Sequence, residues 1–186
     1  MRITMFTERT GAEVQTALKE MRARGMEKLV LDLRDNPGGL LESALDVASQ
    51  FLTDGTLMYE VHRDGEEKSY PVRQGGVAPD VPLVVLVNGG TASAAEIVAG
   101  ALHDHQRVQL VGEKTYGKGS VQLVFDLSDG SSIHITVARW LRPSRVPIDG
   151  AGIEPDRQII PTEEQRQQGI DVLLNAGVEA LIAQAP

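Results

Sequence analysis

Two short, predominantly apolar runs constrain the fold more than any other feature of the sequence. Residues 29–33 read LVLDL and residues 82–87 read PLVVLV. This length and this content of Val and Leu predict strands that are buried on both faces. Each run leads into a glycine-containing turn and then into a helical pattern. Buried strands of this kind belong to parallel sheets covered by helices, so the sequence predicts an α/β fold.

Helical and strand patterns alternate along the rest of the chain, and no internal repeat or low-complexity linker interrupts them. Four segments have helical spacing: residues 12–24, 40–51, 92–104 and 172–182. Further segments have strand patterns: residues 2–6, 108–111, 57–73 with a turn at Asp64-Gly65, and 120–141 with a turn at Asp129-Gly130. The 186 residues fit one domain. We therefore predict a single domain over residues 1–186, a mixed β-sheet with flanking helices.

Charge and cysteine content exclude several kinds of function. The formal net charge is -8, and Lys and Arg are not clustered as they are in proteins that neutralise phosphates, so nucleic acid is not an expected partner. The chain has no cysteine, which excludes disulfides, a thiolate nucleophile and cysteine-based zinc sites. No apolar run approaches the roughly 18 residues of a membrane span. The first residues also lack the apolar stretch of a signal peptide.

A serine at the start of a predicted helix is the first candidate for catalysis. Ser93 follows the strand at residues 82–87 and a glycine turn, and it lies in the first turn of the helix. The free N–H groups there carry partial positive charge, which would stabilise an alkoxide. The N–H of Ala94 could donate to an oxyanion. Serine near a helix start is also a common helix cap, and the position alone does not separate the two interpretations.

A nucleophilic serine needs a base, and lysine fits better than histidine. His103 and His105 lie at the far end of the helix that begins near Ser93, about 15 Å away at 1.5 Å per residue. Lys118 stands between two glycines and leads into a strand, where Gln122 lies on the same face. The Gln122 carbonyl could accept a hydrogen bond from the amine. A lysine base must be neutral, and burial away from carboxylates lowers its pKa.

The segment around Lys118 also resembles most of a phosphate-binding P-loop. Residues 112–118 fit the pattern GxxxxGK, and a predicted strand precedes them. The P-loop requires Ser or Thr after the lysine to hold magnesium and a helix afterwards. Gly119 follows here, and the next pattern is a strand. Nucleotide binding is therefore a poor match.

Four segments taken together resemble the carboxyl-terminal processing proteases, also called tail-specific proteases. They read VLDLRDNPGGLL (residues 30–41), VNGGTASAAEIVAGAL (87–102), VGEKTYGKGSVQ (111–122) and GAGIEPD (150–156). They stand in the family's order over residues 2–160. Each motif alone is loose, but four in order are specific.

The resemblance implies an α/β core related in architecture to crotonase-like and ClpP-type units. It implies that Ser93 is the nucleophile, that Lys118, 25 residues later, is the general base, and that Gln122 orients it. The oxyanion donors would be the N–H of Ala94 and a glycine N–H from the turn at residues 36–39. Gly39 is preferred, with Gly38 as the alternative.

The resemblance also implies proteins with apolar carboxyl-terminal tails as substrates, no metal and no cofactor. Family members act mostly in the periplasm, at the cell surface or in the plastid lumen, and the oligomeric state stays open. They usually carry an N-terminal helical region and a PDZ module, and this sequence shows no segment long enough for a PDZ module. Two alternatives remain: a non-catalytic peptide-binding scaffold, and crotonase-like acyl-CoA chemistry, for which no basic phosphate site is evident.

Overall fold

The computed structural model describes residues 1–183, apart from the side chain of Arg166. Helices and strands alternate along it as the sequence predicts. The helices are α1 (Thr10–Ala23), α2 (Leu41–Ser49), α3 (Ala94–Asp104), α4 (Glu163–Gln167) and α5 (Val172–Ala183). The strands are β1 (Leu29–Asp32), β2 (Thr56–His62), β3 (Glu67–Pro71), β4 (Leu83–Val87), β5 (Gln109–Gly112), β6 (Ser120–Asp126), β7 (Ser132–Leu141) and β8 (Arg157–Gln158).

A four-stranded parallel sheet in the order β1-β4-β5-β8 forms the centre of the fold. β4 is buried along its whole length because both faces of the sheet are covered. Val85 and its same-face neighbours join the main core with helices α1 to α3. Val84 and Leu86 point the other way and pack against Ala180 and Leu181 of α5. The two apolar runs thus form the interior that the sequence predicts for them.

The remaining strands form a second, antiparallel sheet in the order β3-β2-β7-β6. Both predicted hairpins are present, since β2 pairs with β3 and β6 pairs with β7. The predicted α/β class is therefore confirmed, with parallel and antiparallel pairing divided between two sheets. Ala138 and Trp140 of β7 are buried, whereas most of β6 is exposed.

The ends of the chain depart from the predicted elements. Residues 2–6 form two isolated bridges, Arg2 to Asp32 and Phe6 to Gly39, instead of a strand. The chain touches the sheet at one end of the segment and the turn after β1 at the other, so no continuous ladder forms. The carboxyl-terminal segment contributes β8, which the sequence did not indicate because two residues are too short for a periodic pattern.

An arginine joins the carboxyl end of β1 to the start of α5. The Arg34 guanidinium donates to the carboxylate of Asp32 at 2.8 and 2.7 Å and to that of Asp171 at 2.6 and 2.9 Å. These two hydrogen-bonded carboxylates raise the pKa of Arg34, and the same contact lowers the pKa of Asp171. None of the helices within residues 1–183 is long and apolar enough to span a bilayer.

The packing of α5 on β4 predicts a stability difference between two leucines. Leu86 is fully buried between β4 and α5, so Leu86→Ala should lower the free energy of unfolding by about 2–5 kcal/mol. Leu123 of β6 is 50% exposed, and Leu123→Ala should cost about 1 kcal/mol or less. Urea unfolding of the two variants measures this difference. Equal losses would contradict the placement of α5 on the sheet.

Candidate active site

Two glycine-containing turns meet at the carboxyl edge of the parallel sheet. β1 and β4 are parallel neighbours, so the turns that follow them emerge side by side. The N–H of Ala92 donates to the carbonyl of Asn36 at 2.9 Å, and the Thr91 hydroxyl donates to the carbonyl of Leu33 at 2.9 Å. Thr91 and Asn36 are both fully buried. These bonds fix the turn that carries Ser93 against the turn that carries Gly38 and Gly39.

Ser93 occupies a strained backbone conformation immediately before α3. Its dihedral angles are φ 56° and ψ -120°, a region that side chains other than glycine rarely adopt. A residue that only caps a helix normally takes an extended conformation, with no positive φ. Strain of this kind persists where the surrounding structure enforces it, and it occurs often at functional sites. Ser93 forms a capping box with Glu96, and its positive φ favours a role as nucleophile beside that of a cap.

Two backbone N–H groups beside Ser93 have no hydrogen-bond partner within the described part of the chain. They belong to Gly39 and Ala94, the two predicted oxyanion donors. The N–H of Gly38 is engaged, because it donates to the Asn36 side-chain oxygen at 2.8 Å in a buried position. The structure thus supports Gly39 over Gly38 as the available donor of this turn.

The space around Ser93 depends on the absence of a side chain at Gly38. Its φ is +104°, and a Cβ added there would lie 2.7 Å from Ser93 Cβ and 2.9 Å from the Ala94 nitrogen. Gly38 therefore lies directly against the serine and its helix. An open pocket of about 490 Å³ is lined by residues that include Phe6, Gly39 and Leu40.

A fully buried glutamate links the serine turn to the lysine loop. Glu96 Oε2 accepts the N–H of Ser93 at 2.9 Å and the N–H of Lys118 at 2.8 Å. Its other oxygen accepts the Thr115 hydroxyl at 2.5 Å and the N–H of Gly117 at 2.7 Å. Because both backbone nitrogens bind one oxygen atom, the nitrogens of Ser93 and Lys118 lie less than about 6 Å apart.

The side chains of Lys118 and Gln122 are both exposed. Among the described residues, no hydrogen bond or ion pair joins the Lys118 amine to Ser93, to Gln122 or to a carboxylate. The burial expected of a lysine base is therefore missing in this chain by itself. The Gln122 amide donates instead to the Thr136 hydroxyl at 3.4 Å, next to an irregularity in the β6–β7 pairing between Val121 and Gln122.

The histidines near α3 have structural partners. His105 Nε2 lies 2.8 Å from the carbonyl of Thr56. His103 lies between Asp156, at 3.1 Å, and the guanidinium of Arg142, at 2.8 Å. Both lie at the end of α3 that is opposite to Ser93.

Sequence analysis did not identify Glu96 or Asn36 as parts of the site. The spacing of Ser93 and Glu96, S-x-x-E at a helix start, is the capping-box pattern and could have indicated that the Glu96 side chain turns back to the Ser93 N–H. Its bonds to Gly117 and Lys118 depend on a loop about twenty residues away, which no local pattern encodes. Tertiary contacts likewise fix the orientation of the Asn36 side chain, since its amide also donates to the carbonyl of Ile3 at 2.8 Å.

A strained serine before a helix, with free N–H groups beside it, is the arrangement of nucleophiles in serine hydrolases. The sequence also matches a family model, described as Peptidase family S41, over residues 1–159. The chain belongs to peptidase family S41.

Its relatives include named processing proteases. A carboxyl-terminal-processing protease of Synechocystis sp. is 44% identical over 189 residues, which cover 96% of this chain and 44% of that protein. Carboxyl-terminal-processing peptidase 3, chloroplastic, of Arabidopsis thaliana is 45% identical over 159 residues, covering 85% of this chain and 31% of that protein. A solved photosystem II D1 C-terminal processing protease superimposes with a TM-score of 0.80 at 41% identity, over 92% of this chain and 45% of that chain. This chain spans less than half the length of each.

The buried carboxylate of Glu96 predicts a large effect of an isosteric change. Glu96→Gln should lower the free energy of unfolding by about 2 kcal/mol or more. The amide NH2 would face groups that now donate hydrogen bonds to the carboxylate, and those buried donors would lose their acceptor. Glu113→Gln, a change of the same kind at a half-buried position in the same region, should have little effect. Urea unfolding compares the two. Equal stability of both variants would show that Glu96 does not hold the two loops.

Proposed function

We propose that this chain is the catalytic region of a serine endopeptidase that cuts polypeptides near their carboxyl end. Ser93 is the nucleophile and Lys118 the general base. The observation that carries the proposal is the shared hydrogen-bond acceptor Glu96 Oε2, which binds the backbone N–H groups of both residues. A short segment on each side of the carboxylate thus presents the serine and the lysine to the same small region.

The proposed reaction uses groups of the chain itself. Ser93 Oγ attacks the scissile carbonyl while the neutral Lys118 amine takes its proton. The carbonyl oxygen becomes an oxyanion that accepts the N–H groups of Gly39 and Ala94. When the carbon–nitrogen bond breaks, the Lys118 ammonium returns the proton to the leaving amine. Water, deprotonated by Lys118, then hydrolyses the acyl-enzyme and frees Ser93.

Because Lys118 is exposed, the bound substrate itself is proposed to contribute to the activation of the lysine as a base. A polypeptide lying across Ser93 would cover the lysine and remove water from it, which favours the neutral amine. Hydrogen bonds of catalytic groups are often long or absent before substrate binds. Gln122, four residues after Lys118, is the proposed orienting group. Its exposed side chain would have to give up its hydrogen bond to the Thr136 hydroxyl and accept one from the Lys118 amine.

The proposed substrates are proteins with apolar carboxyl-terminal tails. Support comes from the family and from the names of relatives, which are carboxyl-terminal processing enzymes of bacteria and chloroplasts. We propose that the protein acts outside the cytoplasm, in the periplasm, the cell envelope or an equivalent space, as family members do.

A fluorophosphonate that reacts with activated serines tests the proposed pair. The chain should form an adduct at Ser93, located by mass spectrometry, and Lys118→Ala should slow its formation by about a hundredfold or more. The matched control is Lys114→Ala. Lys114 lies in the same loop, where its amine contacts Glu154 at 2.8 Å, and the control should label at the normal rate.

Three results would contradict the proposal. These are an adduct on another residue, equal labelling of the two lysine variants, and a chain that does not react at all. The last outcome would favour the alternative of a non-catalytic scaffold that holds peptides in the same cleft. Circular dichroism of each variant establishes that it is folded.

A further inference from the structure

The hairpin formed by β6 and β7 exposes an unusual number of large apolar side chains. Beyond Val121, which packs against the main core, the hairpin extends away from the body of the protein, and the residues of its outer half are exposed. Six large apolar side chains there are 42–55% exposed: Leu123, Val124, Phe125, Leu127, Ile133 and Ile135. Exposed apolar residues collected in one place indicate a binding surface.

These side chains are concentrated on one face of the hairpin. Leu123 is directly opposite Ile135, and Phe125 is directly opposite Ile133. Directly opposed residues share a face, and alternate residues of a strand share it too. We call this set of four the apolar ribbon face. Along β6 it continues the alternation from Val121, the last residue of the strand that reaches the core.

The opposite face of the hairpin is mainly polar. Its opposed pairs are Gln122 with Thr136, Val124 with His134, and Asp126 with Ser132. The two faces therefore differ in chemistry although both are open to solvent. Pairing between β6 and β7 alone does not require one apolar and one polar face, and an exposed apolar face favours aggregation unless it binds something.

The outer edge of β6 is open as well. β6 is the last strand of its sheet, so one side of its backbone has no neighbouring strand among the described residues. An exposed strand edge can receive an extended peptide as an additional strand, with main-chain hydrogen bonds for affinity and alternate side chains for selectivity. β6 also begins at Ser120, two residues after Lys118. A strand added here would run directly to or from the candidate active site.

We propose that the edge of β6 and the apolar ribbon face bind an extended apolar segment of the polypeptide substrate, beyond the residues at the scissile bond. The proposal rests on the proposed function, because continuity with Lys118 is what makes a substrate the occupant. The chemistry of the segment follows from the face, which offers four apolar side chains and no charge. Alternate residues of the bound segment lie against Leu123 and Phe125.

Peptide binding to a chain that cannot cut tests this directly. The protein is Ser93→Ala, and the probe is a fluorescein-labelled peptide of alternating Val and Ser, about eight residues long to match a strand. Fluorescence anisotropy measures its affinity. Phe125→Ser combined with Ile133→Ser should weaken binding about tenfold or more. Methylation of alternate peptide nitrogens should weaken it by a similar factor, because it removes main-chain donors.

The matched control changes one opposed pair on the other face. Val124→Ser combined with His134→Ser should keep the affinity within about twofold, and both pairs are exposed, so each variant should retain its fold. Equal losses in the two double variants would overturn the proposal, as would failure of the Ser93→Ala chain to bind the peptide. It would also be overturned if sedimentation showed a dimer that only the Phe125→Ser and Ile133→Ser variant dissociates, since the occupant would then be a second copy of the chain.

Binding and labelling separate the two proposals. Peptide binding without a Ser93 adduct would support the binding surface but contradict the catalytic function. The edge of β6 would then bind peptides in a non-catalytic scaffold, and the assignment of the bound peptide as a substrate would be wrong. A Ser93 adduct together with unchanged peptide binding by the Phe125→Ser and Ile133→Ser variant would support the catalytic function and contradict the binding surface.

Discussion

A single buried carboxylate holds the two halves of the candidate active site together. Glu96 has no exposed surface, and each of its oxygens accepts two hydrogen bonds. One of the groups it binds belongs to the serine turn, and the others belong to the loop that carries Lys118. A buried carboxylate without such partners would be costly, so the loop must close on it in the folded state. The geometry of the site is a consequence of satisfying this one group.

The same requirement explains why part of the backbone is left unpaired. Asn36 and Glu96 accept the N–H groups of Gly38 and Ser93, and the neighbouring N–H groups of Gly39 and Ala94 have no partner among residues 1–183. Unpaired donors and a serine with positive φ both reduce stability. The hydrogen bonds around Ser93 compensate for the cost of the unpaired donors and of the positive φ. The free N–H groups are then available to the negative charge that develops on a substrate carbonyl oxygen.

The sequence was most informative where a single segment determines its own environment. The apolar runs in β1 and β4 predicted a sheet buried on both faces, and Asp129-Gly130 predicted the hairpin of β6 and β7. It was less informative where the environment is made by distant segments. Residues 2–6 have a strand pattern, but their partners are the end of β1 and Gly39, which interrupts the ladder. Lys118 was expected to be buried, and it is exposed.

The site residues show the same division. The family resemblance implied that Ser93 and residues 36–39 would meet, and the parallel pairing of β1 with β4 brings their carboxyl ends to one edge. The choice between Gly38 and Gly39 required the side chain of Asn36, whose orientation depends on tertiary contacts. The predicted pairing of Gln122 with Lys118 followed from strand alternation, but Lys118 precedes β6, which begins at Ser120, and the Gln122 amide donates to the opposed Thr136 instead.

We propose that Ser93, Gly39 and Ala94 form one preorganised site around an oxyanion. A crystal structure of the chain with a phosphonate adduct tests it most directly, because the phosphoryl oxygen takes the place of the oxyanion. We expect an adduct on Ser93 Oγ with that oxygen about 2.7–3.1 Å from the nitrogens of both Gly39 and Ala94. An oxygen that faces solvent, or that is bound by the N–H of Gly38 after loss of its bond to Asn36, would contradict it.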